Sequence, residues 1–172
     1  WSADRELNMK KLVVMRHAKS SFDQNGLADI DRPLNKRGEK DAHRMGKLMK
    51  DKGICPDAVF SSKAVRAAAT AEVIAEGCDL QNEIVYVDKY YLGEPETYLA
   101  PLRELNDDKV RTVLIVGHNP GLETLVQLFS DKVESLPTGA VAVIELPIRH
   151  WKSVSLDLEG KLKELWRPRD IK

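Results

Sequence analysis

Between Lys11 and Ser130 the hydrophobic positions switch repeatedly between two periods. Leu12-Val13-Val14-Met15 is an unbroken apolar run, the pattern of a strand covered on both faces. A polar stretch from Lys19 to Asp31 follows, too long for a tight turn. Asn35 then stands as the N-cap of a predicted helix that closes at Gly53. Its apolar positions Ala42, Met45, Leu48 and Met49 share one face.

Ala58-Val59-Phe60 predicts a second strand, and Ser62 caps a helix running to about Glu76. Ala64, Ala67, Ala68, Ala71, Ile74 and Ala75 form its inward stripe, small enough for close packing on a sheet. Ile84 to Val87 is a third strand. Pro95 and Pro101 bound or interrupt a short helix ending near Leu105. Val110 to Val116 is a fourth strand, and Leu122, Leu125, Val126 and Phe129 give the next helix an i, i+3, i+4, i+7 face. Gly139 to Leu146 is β-rich. Val154 to Leu158 and Leu162 to Trp166, joined by Glu159-Gly160, predict a final hairpin or edge pairing. Strands alternating with helices imply a three-layer α/β sandwich: a mostly parallel central sheet, an antiparallel edge, and helices on both faces.

The length of 172 residues fits one domain with its own core. Residues 9–172 are expected to form it. Residues 1–8 are polar, lack the apolar core of a signal peptide, and are set aside as an extension, an expression remnant, an alternative start or the residue of a cleaved leader. Lys+Arg and Asp+Glu number 27 each, so no global field gathers nucleic acid or anionic lipid. No apolar run approaches the ~20 residues of a membrane helix. Cys55 and Cys78 have neither the number nor the spacing of a disulfide framework or a zinc site, which points to a reducing compartment such as the cytoplasm or an organelle stroma.

In a sheet of this kind ligands bind beyond the carboxyl ends of the strands. Three strand ends there carry chemistry. Arg16-His17-Ala18-Lys19-Ser20 follows the first strand, and Arg66 stands in the first turn of the Ala-rich helix. The helix dipole disfavours a cation at that position, so Arg66 points to an anion bound beside it. Val116-Gly117-His118-Asn119-Pro120-Gly121 follows the fourth strand, with glycines that permit a sharp turn and close approach of a ligand. Singly, each residue has an ordinary structural explanation. Gathered on one sheet edge, two His and two Arg make a poor divalent-metal site and a good cradle for a phosphoryl dianion.

These motifs resemble the histidine phosphatase superfamily, with its phosphoglycerate mutase-like fold. More narrowly, they are similar to the short branch typified by the bacterial phosphohistidine phosphatase SixA. The matching stretches are Leu12 to Ser20, Asp31 to Gly38, Ser61 to Glu72 and Val116 to Leu122, in the family's order, with weaker likeness through Pro168-Arg169-Asp170. The resemblance implies that His17 is a nucleophile that becomes transiently phosphorylated. It implies that Arg16, Arg66 and His118, the last best as imidazolium, bind the phosphoryl oxygens and stabilise the transition state. A free ring nitrogen on His17 requires the other to donate, for instance to a backbone carbonyl.

Two departures stand out. Ala18 replaces the family's common glycine. Mutase relatives place a glutamate as proton donor just after the third strand, where Asp88 to Pro95 here has no carboxylate in the aligned position. Glu94 is the nearest, and it equally reads as an acidic residue at a helix N-terminus ahead of Pro95. His43 and His150 read as surface or packing residues.

Only Asp88 to Lys109 separates the third and fourth strands, so the pocket is expected to be shallow and open, suiting a phosphorylated protein side chain. The expected activity is a phosphatase, independent of metal and cofactor, acting on phosphohistidine of a protein. The alternatives are a small-metabolite phosphomonoesterase, a mutase, or a non-catalytic phospho-ligand binding module. A monomer with no nucleic-acid or membrane partner is expected.

Overall fold

In the computed structural model, residues 9–22 and 26–171 are described; residues 1–8, set aside above, lie outside them. Six strands form one sheet in the order β3-β2-β4-β1-β5-β6. They are β1 (Lys10–Arg16), β2 (Ala58–Ser62), β3 (Val85–Val87), β4 (Thr112–Gly117), β5 (Val141–Leu146) and β6 (Lys161–Trp166). β1 to β4 run parallel, while β5 is antiparallel to both β1 and β6. The sheet is therefore mostly parallel with an antiparallel edge, as the pattern predicts.

The central strands bury both faces, which is why they are apolar without alternation. On one face Leu12 and Val14 of β1 and Val113 and Ile115 of β4 pack with Leu122, Leu125, Val126 and Phe129 of α4 (Gly121–Ser130) and Tyr98 and Leu99 of α3 (Pro95–Leu99). On the other, Val13, Met15, Leu114 and Val116 meet Met45 and Met49 of α1 (Lys36–Asp51) and Ala67, Ala71 and Ile74 of α2 (Val65–Gly77). Each fully buried apolar side chain contributes roughly 1.5–3 kcal/mol. Small side chains let α1 and α2 pack closely: Gly46 lies against Ile74.

Asn35 caps α1 by accepting from the Gly38 amide at 2.8 Å. The Ser62 hydroxyl accepts from the Ala64 amide at 3.1 Å, just before α2 begins. His43 and His150 are exposed.

Two expectations need correction. Val154 to Leu158 does not form a strand; β6 pairs instead with β5, so the C-terminal segment extends the sheet rather than closing a local hairpin. Val154 is buried in the core, where apolarity serves packing rather than a ladder. Cys55 and Cys78 form a disulfide, with Cα atoms 5.5 Å apart. Their 23-residue separation along the chain hides that the loop before β2 and the C-cap of α2 meet at one end of the β2–α2 unit. The cysteine count therefore carries no argument for a reducing compartment. Among the described residues, no helix is long and apolar enough to cross a membrane.

Candidate active site

The parallel register sets Arg16, the last residue of β1, beside Gly117, the last of β4. His17 follows immediately, and its backbone is held from both sides. Its amide donates to the Gly117 carbonyl at 3.1 Å, and its carbonyl accepts from the Gly139 amide at 2.9 Å. Gly117 must be glycine for a steric reason: a Cβ there would overlap the Tyr98 ring and hydroxyl. Tyr98 in turn accepts from the His118 amide at 2.9 Å. The two strand ends thus present His17 and His118 side by side, ring centroids 5.2 Å apart, both buried.

The imidazole of His17 has one assignable tautomer. Nδ1 lies 2.7 Å from the Ala18 carbonyl, which can only accept, so Nδ1 carries the proton and Nε2 presents an unprotonated lone pair. The Arg66 Nε–H faces that lone pair at 3.4 Å. Burial, together with the nearby His118, Arg66 and Arg16, lowers the His17 pKa to about 3, against the pull of the Ala18 bond. A neutral imidazole in this state is a competent nucleophile at pH 7.

Arg66 is buried at the second position of α2. Thr70, one turn on, donates to the Arg66 carbonyl at 2.7 Å and accepts from the Ala18 amide at 3.0 Å. One hydroxyl therefore ties the His17 loop to the helix that carries Arg66. Arg16 donates from one terminal nitrogen to the Leu136 carbonyl at 3.1 Å, while its Nε is buried without a partner. An unpaired buried donor is costly, and an anionic oxygen would satisfy it.

His118 Nε2 lies 2.8 Å from the Ser62 hydroxyl. Ser62 already accepts from Ala64 and is free to donate to Nε2, a bond that keeps the neutral imidazole's proton on Nδ1. Burial and the neighbouring Arg66 and Arg16 lower its pKa to about 4, with Asp29 opposing. Burial thus favours neutral His118 at pH 7, and a bound dianion would shift the balance toward the imidazolium expected to hold phosphoryl oxygens.

Arg16, His17, Arg66 and His118 therefore converge, and together they line a cavity of about 310 Å³. Glu94 does not join them: it is exposed at the N-cap of α3 and does not line the cavity. The segment from Asp88 to Lys109 folds down into the core through Tyr90, Tyr98, Leu99 and Leu102, leaving Tyr91 and Leu92 at the cavity.

Sequence reasoning missed Asp29. Its carboxylate pairs with Arg66 at 3.0 Å and with Arg32 at 3.0 Å, and it accepts from the Tyr91 hydroxyl. The Asp29 carbonyl accepts from Arg66 as well, at 2.7 Å. Tyr91, held this way, meets the His118 ring edge-on at 5.5 Å between centroids. The bond from Tyr91, reinforced by Arg66, holds the Asp29 carboxyl down at about 2. The one available signal was Arg66 itself, a cation in a first helical turn that demands an anion; Asp29 supplies it in the unliganded protein.

The family model for the histidine phosphatase superfamily (branch 1) matches residues 12–87. A Mycobacterium tuberculosis protein is 32% identical over 151 residues, covering 81% of this chain and 91% of its own. A chloroplastic Arabidopsis thaliana protein is 26% identical over 151 residues, covering 83% of this chain and 69% of its own. Among solved structures, a protein assigned as the phosphohistidine phosphatase SixA from Agrobacterium tumefaciens superposes with a TM-score of 0.78 at 27% identity, over 92% of this chain and 98% of that one. The chain belongs to the histidine phosphatase superfamily. Within it, the chain falls in the SixA-like branch, and its activity class is that of a phosphatase.

Proposed function

We propose that this protein removes the phosphoryl group from phosphohistidine on a protein, through a phosphorylated His17. The observation that carries the reading is the unprotonated, buried lone pair of His17 Nε2, which accepts from the Arg66 Nε–H at 3.4 Å, with the unpaired Arg16 Nε in the same site. His17 Nε2 forms a bond to phosphorus as the P–N bond of the substrate breaks. The leaving imidazole keeps the bond's electron pair and departs neutral, because its other ring nitrogen carries a proton in the reacting phosphohistidine. Water then attacks the phosphoenzyme, releasing inorganic phosphate and restoring the lone pair. Arg16, Arg66 and the His118 N–H stabilise the charge spread over the phosphoryl oxygens in both steps.

The substrate class is inferred from the proton demand of the leaving group. Imidazole has a conjugate acid of pKa near ~6.5 and leaves without much help, whereas an alkoxide requires a proton in the transition state. Among the described residues the cavity lining includes no carboxylate, and the one beside it, Asp29, is held ionised, with its pKa lowered to about 2 by Tyr91 and Arg66. Four cationic side chains line the cavity against the one Asp29 carboxylate, and this excess of positive charge disfavours a divalent metal, which supports metal-independent chemistry. The chloroplastic Arabidopsis thaliana relative supports a location in an organelle stroma.

The test is a turnover panel of a phosphohistidine protein, a phosphotyrosine peptide and sugar phosphates, with and without EDTA, plus acid-quenched trapping of label on His17. The expected result is preference for phosphohistidine, unaffected by EDTA. Higher kcat/KM on sugar phosphates would replace this reading with the small-metabolite phosphatase. Phosphate binding without any turnover would leave a binding module.

A further inference from the structure

Of the large apolar side chains exposed among the described residues, three stand far above the rest: Phe22 at 78%, Leu92 at 80% and Val133 at 82%, the next reaching only 47%. Two of these three, Phe22 and Leu92, line the cavity that holds His17. Scattered exposed apolar residues are ordinary, but their concentration around one cavity is not.

Leu92 is also in the wrong backbone conformation for its type. Tyr90 to Gly93 form a turn closed by the Gly93 amide on the Tyr90 carbonyl at 3.1 Å, with Tyr91 at φ −68° and ψ 119°. Leu92 follows at φ +60°. That is the third position of a type II turn, where glycine or asparagine is favoured and a leucine is strained. The strain secures no core packing, because the side chain is exposed. Strain of this kind, held beside an active site, points to a role in ligand contact.

Among the described residues the same cavity is lined by four cations, Arg16, Lys19, Arg32 and Arg66, of which Arg32 and Arg66 pair with Asp29. Arg16 and Arg66 belong to the phosphoryl site. Lys19 is exposed, and the Arg32 guanidinium lies 4.7 Å from the Phe22 ring centroid, so charge and apolar surface alternate around the opening. A small phosphorylated metabolite gains nothing from two outward-standing apolar side chains. A protein surface gains from both.

We propose that this rim is a protein-docking clamp. Phe22 and Leu92 receive apolar side chains flanking the phosphorylated residue of a partner protein, and the exposed Lys19 faces an acidic residue beside them. The inference rests on the phosphohistidine reading and specifies that its substrate is recognised as a protein.

Leu92→Asn and Phe22→Ser separate this from a structural role. Asparagine tolerates the left-handed region, so Leu92→Asn keeps or raises Tm. Each variant is expected to lower kcat/KM for a phosphohistidine protein about fivefold through KM, and the double variant about tenfold or more. Turnover of phosphorylated imidazole, which brings no flanking residues for the rim to hold, stays within about twofold of the parent. Equal protein kcat/KM in parent and double variant overturns the clamp while leaving phosphohistidine chemistry intact. Parallel losses on protein and phosphorylated imidazole overturn it too, assigning the rim to the phosphoryl site. If the unaltered protein turns over neither substrate, the phosphohistidine reading itself fails, and the clamp with it.

Discussion

The imidazole Nδ1 of His17 is bonded to the carbonyl of its own neighbour, Ala18, at 2.7 Å. The nucleophile's tautomer is therefore fixed by one residue of backbone. This arrangement needs no second side chain, but it needs the Ala18 peptide to be held, and Thr70 holds it through the Ala18 amide. His17→Ala is expected to abolish turnover, by a factor of 10³ or more, with Tm nearly unchanged and no label retained after acid quenching. Thr70→Val should lower kcat roughly tenfold by loosening the peptide that sets the tautomer, and steady-state kinetics on one substrate compares the two directly.

Arg66 donates to both the Asp29 carbonyl and carboxylate while its Nε faces His17. Arg66→Ala removes a charge-assisted donor from a desolvated site, which costs on the order of 2–4 kcal/mol at the transition state. Asp29→Asn keeps the shape but weakens the hold on Arg66 and Tyr91 together. Asp29 is thus expected to act as a positioning residue. The asparagine variant should lower kcat about tenfold while the pH dependence of turnover keeps its shape. A changed acid or basic limb would show instead that Asp29 transfers a proton.

Glu94 is exposed at the start of α3 and does not line the cavity. Glu94→Gln should leave kcat for phosphohistidine within about twofold. A loss as severe as that of His17→Ala would reveal a general acid, and the preference for P–N bonds would lose its basis.

Gly38 carries a different kind of constraint. A Cβ there would overlap the Lys19 carbonyl, which also accepts from the Asn35 amide at 3.0 Å. The first turn of α1 and the segment after His17 are in direct backbone contact, so neither can give way cheaply. Gly38→Ala is expected to destabilise the fold by about 1–3 kcal/mol, the range of overpacked sites, and to slow turnover as Lys19 and Ala18 shift. Chemical denaturation at constant m-value, set beside kcat, checks both.

The residues that could be found from the chain alone were those whose side chains conflict with their local setting. Arg66 opposes its helix dipole, and Arg16 and His17 end an apolar run; both conflicts mark the site. Asp29 and Ser62 were harder to see. Asp29 sits in a polar stretch where another carboxylate is unremarkable, and its meaning comes only from Arg66, thirty-seven positions away. Ser62 reads as a helix cap, yet it ends β2 and accepts from the Ala64 amide ahead of α2, whose N-cap is Ala64; its bond to His118 crosses from β2 to the end of β4 and leaves no trace in local pattern. The disulfide was hidden in the same way, by a contact between segments that periodicity treats separately. Strand order at the antiparallel edge was ambiguous because Val154 to Leu158 has the apolarity of a strand but spends it on core packing.

The two imidazoles also set how stability depends on pH. In the unfolded chain both titrate near ~6.5. In the folded, unliganded protein His17 is lowered to about 3 and His118 to about 4, chiefly by burial. Between those values the unfolded state binds more protons, so stability falls as pH drops from 6.5 toward 4 and is unaffected by these groups above 6.5. Asp29, lowered to about 2 by its bond from Tyr91 and its pairing with Arg66, adds a second loss only below the ordinary carboxylate range. Saturating tungstate should flatten the upper window, because a bound anion favours the protonated imidazole and offsets the loss. His118→Gln should flatten it as well, since glutamine does not titrate. Thermal unfolding of the three samples from pH 8 to pH 4 distinguishes the cases. A parent Tm that stays level down to pH 4 would show that neither imidazole is held neutral by burial, and the neutral nucleophile would have to be abandoned.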